Sequence, residues 1–370
     1  MRFISPTVGS VACTALLLSA LIIAGCGGGG GSSSGTMSKV ALGKALFNST
    51  TLSQPAGMSC ATCHQASHQF VDPRQDSPTS EGVILGRFGN RQTPSVKYMK
   101  FSPKFHFDVD EDDYIGGQFW DGRAVDLQAQ AHLPLTNPAE MNNPSLDAVA
   151  QRVSTGPLAA ALQSVYGPAV FSDTKHTMDA VTDAIAAFES SYECNPFSSK
   201  YDDYLHGRAT LTQAETRGLS LFKGKALCAN CHPADLGPHG EPPLFTDFTY
   251  DNIGLPKNAN NRFYLDPPSI NPDGAGFLDV GLEKTTHRAD DAGRFKVPTL
   301  RNIAVTGPYF HNGVATSLTD VVQFYNKRDS GIFGSPEFPD NINHDELGDL
   351  HLTDSEVSDI VAFLQTLTDK

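Results

Sequence analysis

Two five-residue segments, Cys60-Ala-Thr-Cys63-His64 and Cys228-Ala-Asn-Cys231-His232, constrain this 370-residue chain more than any other feature in it. Two thiols three positions apart can each form a thioether to a porphyrin, and a histidine directly after the second thiol reaches the iron of the same ring. Zinc sites and redox dithiols also use Cys-x-x-Cys, but neither needs the adjacent histidine, and the whole pattern occurs twice. The chain is therefore read as carrying two covalently bound haem c groups. Cysteine usage agrees. Of seven cysteines, four lie in these motifs, Cys13 and Cys26 fall in the leader, and only Cys194 remains. No disulfide framework is available, and Cys194 is read as a buried small apolar residue.

The leader begins Met1-Arg2, continues as an apolar run from about Val11 to Ala24, and reaches Ile23-Ala24-Gly25-Cys26. One positive charge followed by an apolar stretch of this length predicts an export signal over residues 1–25, too short for a comfortable membrane span. Small residues before Cys26 resemble a lipobox. Cleavage is expected before Cys26, with lipidation of its thiol, and residues 26–38, rich in Gly and Ser, then form a flexible tether. The expected location is the periplasm or cell surface, as a membrane-anchored lipoprotein, which is also the compartment of c-type haem attachment. A formal charge of −14 argues against nucleic acid and suits a basic protein electron donor.

A weak internal repeat accompanies the motifs. Gly43-Lys-Ala-Leu46-Phe47 precedes the first and Gly218-Leu-Ser-Leu221-Phe222 the second, so each attachment site follows a short helix with the same G-x-x-L-F ending. Thr212 with Glu215, and Thr353 with Glu356, form capping boxes; Leu352 and Val357 supply a hydrophobic staple, and Ile360, Val361, Leu364 and Leu367 make an apolar stripe. A further amphipathic segment runs from Met178 to Ser190, whereas Gly237 to Gly281, rich in Pro and Gly, reads as loop. The fold class expected is mainly α, with two cytochrome c-like haem domains, 39–207 and 208–370, and long irregular loops. The acidic run Asp108-Val-Asp110-Glu111-Asp112-Asp113 has neither the Gly nor the terminal Glu of an EF-hand and reads as a solvated loop.

Function turns on which iron keeps an open position, because a haem with one protein ligand can bind peroxide and a haem with two strong ligands passes electrons. No methionine follows His232, the last in the chain being Met178. The candidates for a second ligand there are Tyr325, His239, His287, His311, His344 and His351, or none.

Several ordered segments resemble the bacterial di-haem cytochrome c peroxidase and MauG family, from about Ala41 to the C-terminus. They are Phe119-Trp120-Asp121-Gly122-Arg123-Ala124, Asn137-Pro138-Ala139-Glu140-Met141, Asn195-Pro196-Phe197 before Tyr201, Phe295-Lys296-Val297-Pro298-Thr299-Leu300-Arg301-Asn302, and Gly307-Pro308-Tyr309-Phe310-His311-Asn312-Gly313. The resemblance implies a peroxidatic haem ligated by His64 and an electron-transfer haem ligated by His232. It implies Glu140 as distal acid/base, Gln130 and Pro134 in the same pocket, and Trp120 between the haems. A carboxylate suits peroxide because it can take a proton from one oxygen and return it to the other. Within the family, ordinary peroxidases hold the second iron with Met and MauG with Tyr, in the segment Thr319-Asp-Val-Val-Gln-Phe-Tyr325-Asn326 of this chain, so Tyr325 is the implied sixth ligand. No histidine lies between Gln69 and Ser95, and His68 is close to His64, so the first iron is expected to be open as isolated. The family also binds calcium; the matching positions are Gln92, where the family has Asn, with Thr306 and Pro308.

The implied function is reduction of hydrogen peroxide to water with electrons from an exported cytochrome c or copper protein. A MauG-like enzyme oxidising Trp or Tyr side chains of a partner protein is the alternative, favoured by Tyr325. A non-enzymatic electron-transfer cytochrome is the third reading, and it leaves Gln130, Pro134 and Glu140 without a use.

Overall fold

The structure, a computed structural model, describes residues 37–370 except 75, 76 and 238. The expected signal segment, Cys26 and all but the last two residues of the tether lie outside the described residues. The described chain is mainly helical: α1 (Lys39–Phe47), α2 (Cys60–Cys63), α3 (Leu127–Thr136), α4 (Leu146–Thr155), α5 (Ala159–Tyr166), α6 (Thr174–Glu189), α7 (Lys200–Leu205), α8 (Gln213–Lys223), α9 (Glu283–Thr286), α10 (Leu318–Lys327) and α11 (Asp354–Gln365). Strand among the described residues is limited to two antiparallel pairs, β1 (His106–Asp108) with β2 (Asp113–Ile115) and β3 (Tyr250–Asp251) with β4 (Phe295–Lys296).

Both expected capping boxes form. The Thr212 and Thr353 hydroxyls accept from the backbone N–H of Glu215 and Glu356, whose carboxylates accept in return from the cap residues. Ser38, placed at the end of the tether by the sequence, instead caps α1 by accepting from Ala41 N–H, so the first helix takes its cap from one residue before the expected domain. The acidic run is also more than a loop: Asp108 and Asp113 are cross-strand partners in a hairpin, and Asp113 pairs with Arg294 at 2.5 Å. Only its tip, through Asp112, is solvated.

Two apolar cores form, one from Leu42 to Cys194 and one from Tyr201 to Leu367. Cys194 is fully buried, and burial pushes its thiol up to about 12. Tyr201 of α7 packs in the second core although it precedes the expected boundary at 207/208; its backbone N–H bonds Thr366 O and its hydroxyl bonds Ala234 O.

The repeat has a packing cause that is the same in both halves. A Cβ on Gly43 would lie 1.8 Å from the Ala184 carbonyl oxygen of α6, and one on Gly218 would lie 1.9 Å from the Asp359 carbonyl oxygen of α11. Each glycine therefore lets two helix backbones touch, and four residues later a phenylalanine fills the crossing. Phe47 meets Phe188 and Phe222 meets Phe363, both with ring centroids 5.2 Å apart. The crossing carries each Cys-x-x-Cys-His segment to a fixed place beside it. Gly218→Ala is expected to destabilise the protein by about 1–3 kcal/mol through overpacking, measured by denaturant titration. Unchanged stability would mean that the helices part freely.

Candidate haem and peroxide site

Each attachment motif ends in a histidine whose orientation is set by a backbone carbonyl. His64 Nδ1 lies 3.1 Å from Phe70 O, and His232 Nδ1 lies 2.7 Å from Phe245 O. A carbonyl only accepts, so Nδ1 carries the proton and Nε2 is left with a free lone pair, the form a metal requires. The two accepting residues share a left-handed backbone, φ 60° at Phe70 and 55° at Phe245. Burial lowers the pKa of both histidines, His232 to about 4, which keeps the rings neutral and able to ligate. The thiols behave oppositely to those of a redox dithiol. Burial pushes Cys60, Cys63 and Cys228 up to about 12 and Cys231 higher still, so none is held as a reactive thiolate. Oriented imidazoles and protected thiols on an apolar wall fit two haem c groups.

A single cavity joins the two motifs, with ≈ 3020 Å³ of empty space, open solvent at its mouth included. Gln130, Pro134 and Glu140 all line it. The first two sit four residues apart on one face of α3, and Pro134 removes the N–H that would have bonded the Gln130 carbonyl. Glu140 follows in the turn after α3, where Asn137 Nδ2 donates to its Oε1 at 2.7 Å. Burial raises the Glu140 pKa, opposed by the nearby Arg123 charge and the Asn137 bond. The carboxyl is not a solvated surface group. Trp120 is tied to both halves of the chain: its Nε1–H donates to Gln92 O at 3.0 Å, and its carbonyl accepts from Lys296 N–H at 2.8 Å.

Among the candidates for the second iron, Tyr325 of α10 and His311 line the cavity; His239, His287, His344 and His351 are exposed. The Tyr325 phenol lies near Cys231 and Cys228, and burial raises its pKa. His311 instead stacks on Phe295 and feels Asp279 and Arg91. His68 is exposed and outside the cavity. Gln92, Thr306 and Pro308 share the cavity wall. Cys231 Sγ, Asp251 and Glu346 also lie together, but a sulfur committed to a thioether does not make a separate metal centre of them.

Sequence reasoning missed four polar residues of this wall. Arg123 and Lys296 lay inside quoted motifs, and Arg91 and Glu189 carried no signal at all. Glu189 is 3% exposed, its Oε2 has no hydrogen-bond partner among the described residues, and burial pushes its carboxyl up to about 8. Unfolding lets this group ionise near 4.5, so its contribution to stability is present at low pH and is lost as pH rises towards about 8. Glu189→Gln is expected to flatten that slope and to raise stability at alkaline pH by on the order of a few kcal/mol. Denaturant titrations at both ends of the window measure this, and an unaltered slope would assign it to another group.

Comparison with known proteins places these features in one group. A family model described as di-haem cytochrome c peroxidase matches residues 37–210. The methylamine utilization protein MauG of Paracoccus denitrificans is 40% identical over 349 residues, covering 89% of this chain and 88% of that one. Cytochrome c551 peroxidase of Nitrosomonas europaea is 34% identical, covering 88% of this chain and 79% of its own. The crystal structure of the diheme peroxidase BthA from Burkholderia thailandensis is similar with a TM-score of 0.78 at 34% identity, over 90% of this chain and 86% of that chain.

Proposed function

Because this chain belongs to the di-haem cytochrome c peroxidase family, we propose that it reduces hydrogen peroxide to water with electrons from a small exported cytochrome c or cupredoxin. When bound, the haem attached beside His232 stores electrons and the haem attached beside His64 supplies the iron at which peroxide is cleaved. The observation that carries this assignment is that the Glu140 charge acts on Cys60 and Cys63 and not on Cys228 or Cys231, in a cavity that Gln130 and Pro134 also line. Glu140 takes the proton from the near oxygen of peroxide and delivers it to the far one. Two electrons and two protons then balance one peroxide against two waters. Gln130 orients the peroxide by hydrogen bonding, Pro134 keeps the wall apolar, and Arg123 steadies charge at Glu140. Trp120, bonded to both halves, joins the two sites.

Tyr325 ligates the second iron, the Gln92 side chain with the Thr306 and Pro308 carbonyls holds one calcium ion, and the two haem domains divide before α7, whose Tyr201 packs in the second core. The protein works in the periplasm or at the cell surface, tethered through lipidated Cys26; no described helix is long and apolar enough to cross a membrane. Tyr325 and the 40% identity to a MauG protein favour a second reading, oxidation of Trp or Tyr side chains on a partner protein.

Peroxide added to the purified di-ferric protein tests both. Peroxide consumption that follows the supply of a reduced basic cytochrome c is expected, with cyanide perturbing one haem alone. A long-lived oxidised spectrum without donor turnover would favour the second reading. Cyanide binding equally fast to both haems would overturn the assignment of His64 and His232.

A further inference from the structure

One group on the cavity wall has no part in the peroxide chemistry. The His311 side chain is 4% exposed, lines the cavity, and its Nε2 has no hydrogen-bond partner among the described residues. The ring cannot swing to find one. It stacks on Phe295 with centroids 3.5 Å apart and planes 9° from parallel, and its own carbonyl accepts from Gln92 N–H at 2.7 Å. A polar nitrogen left this way costs on the order of 1–3 kcal/mol, so it calls for a partner that the polypeptide does not supply.

The charges nearby say what kind of partner. Arg91 pairs with Asp121 at 2.8 Å and with Asp279 at 2.5 Å, and Arg123 also pairs with Asp121 at 2.8 Å. Lys296, 7% exposed on the same cavity, has its ammonium on a carbonyl, Gly117 O at 2.6 Å, within the field of Asp121. Arg91 is shared by Asp121 and Asp279, and Arg123 by Asp121 and the nearby Glu140, so Lys296 is the cation of this wall with no carboxylate in contact, and burial lowers its pKa to about 7. A buried charge is tolerated when it is paired, so Lys296 suits one further carboxylate.

We propose that His311 Nε2–H donates a hydrogen bond to a haem propionate whose charge the buried Lys296 ammonium balances. The proposal rests on the di-haem reading. Haem carries two propionates, and the carboxylate comes from the group beside His64 or from the one beside His232.

Resonance Raman spectroscopy of the holoprotein reads propionate hydrogen bonds directly through the propionate bending bands. In the parent, one such band is expected to shift on transfer to D₂O. In His311→Phe, which keeps the stacked ring shape, that band is expected to move and lose its D₂O sensitivity, while His311→Gln, which keeps an N–H donor, retains it. Loss of the bond leaves the propionate charge less neutralised, so the midpoint potential of the same haem is expected to fall by about threefold in the reduced-to-oxidised ratio, about 28 mV for one electron. A half-reduced sample separates the two haems and identifies the source. Bands identical to the parent in both haems of His311→Phe overturn the proposal. If that variant fails to hold haem, a parent spectrum insensitive to D₂O overturns it equally. Haem content measured on the same samples tests the di-haem reading separately.

Discussion

Glu140→Gln is expected to lower peroxide turnover by about two to four orders of magnitude, the usual reach of a positioned acid/base group, with both haems still attached. The amide keeps the hydrogen bond with Asn137 and the shape of the turn, so the loss isolates proton transfer. The pH profile sharpens the test. Burial raises the Glu140 pKa, and the ionised form is the one that accepts the peroxide proton, so the parent rate should fall as pH drops through that raised value. The variant should lose this acid limb. Turnover within a few-fold of the parent, at equal haem content, would remove Glu140 from the chemistry and leave it as a buried carboxyl of the turn.

Tyr325→Phe is expected to change both the absorption spectrum and the potential of the second haem, leaving the first alone. The phenol sits near Cys228 and Cys231, and burial pushes its pKa up, so a phenolate forms there only when a metal cation holds it. An anionic oxygen ligand favours the oxidised iron, and its loss should raise the midpoint. A tenfold change in the reduced-to-oxidised ratio, about 59 mV for one electron, is the expected scale. The side chain keeps its apolar bulk, so α10 should not repack. Spectra identical to the parent would sink the ligation and point to His311, the other candidate that faces the cavity.

Much of this molecule is local chemistry and was legible in the chain. The haem motifs, the two capping boxes and the G-x-x-L-F repeat are short patterns whose meaning depends on residues a few positions apart. The tertiary structure supplied the reason for the repeat: the glycines are there because Ala184 and Asp359 carbonyls, more than a hundred residues away in each case, press against them. It also moved Tyr201 into the second core and turned the acidic run into a hairpin held by Arg294.

Composition and spacing determined two segments, Cys60–His64 and Cys228–His232, of the kind that attaches haem c, because attachment needs only a thiol pair and its neighbour. They could not show that Glu189 is held protonated, that His311 Nε2 lacks a partner, or that Lys296 rests on a single carbonyl. Those properties come from desolvation and from distant groups folded into contact. The same carboxyl, imidazole or ammonium would be ordinary in water, and only the shape of the wall that buries it gives it a function.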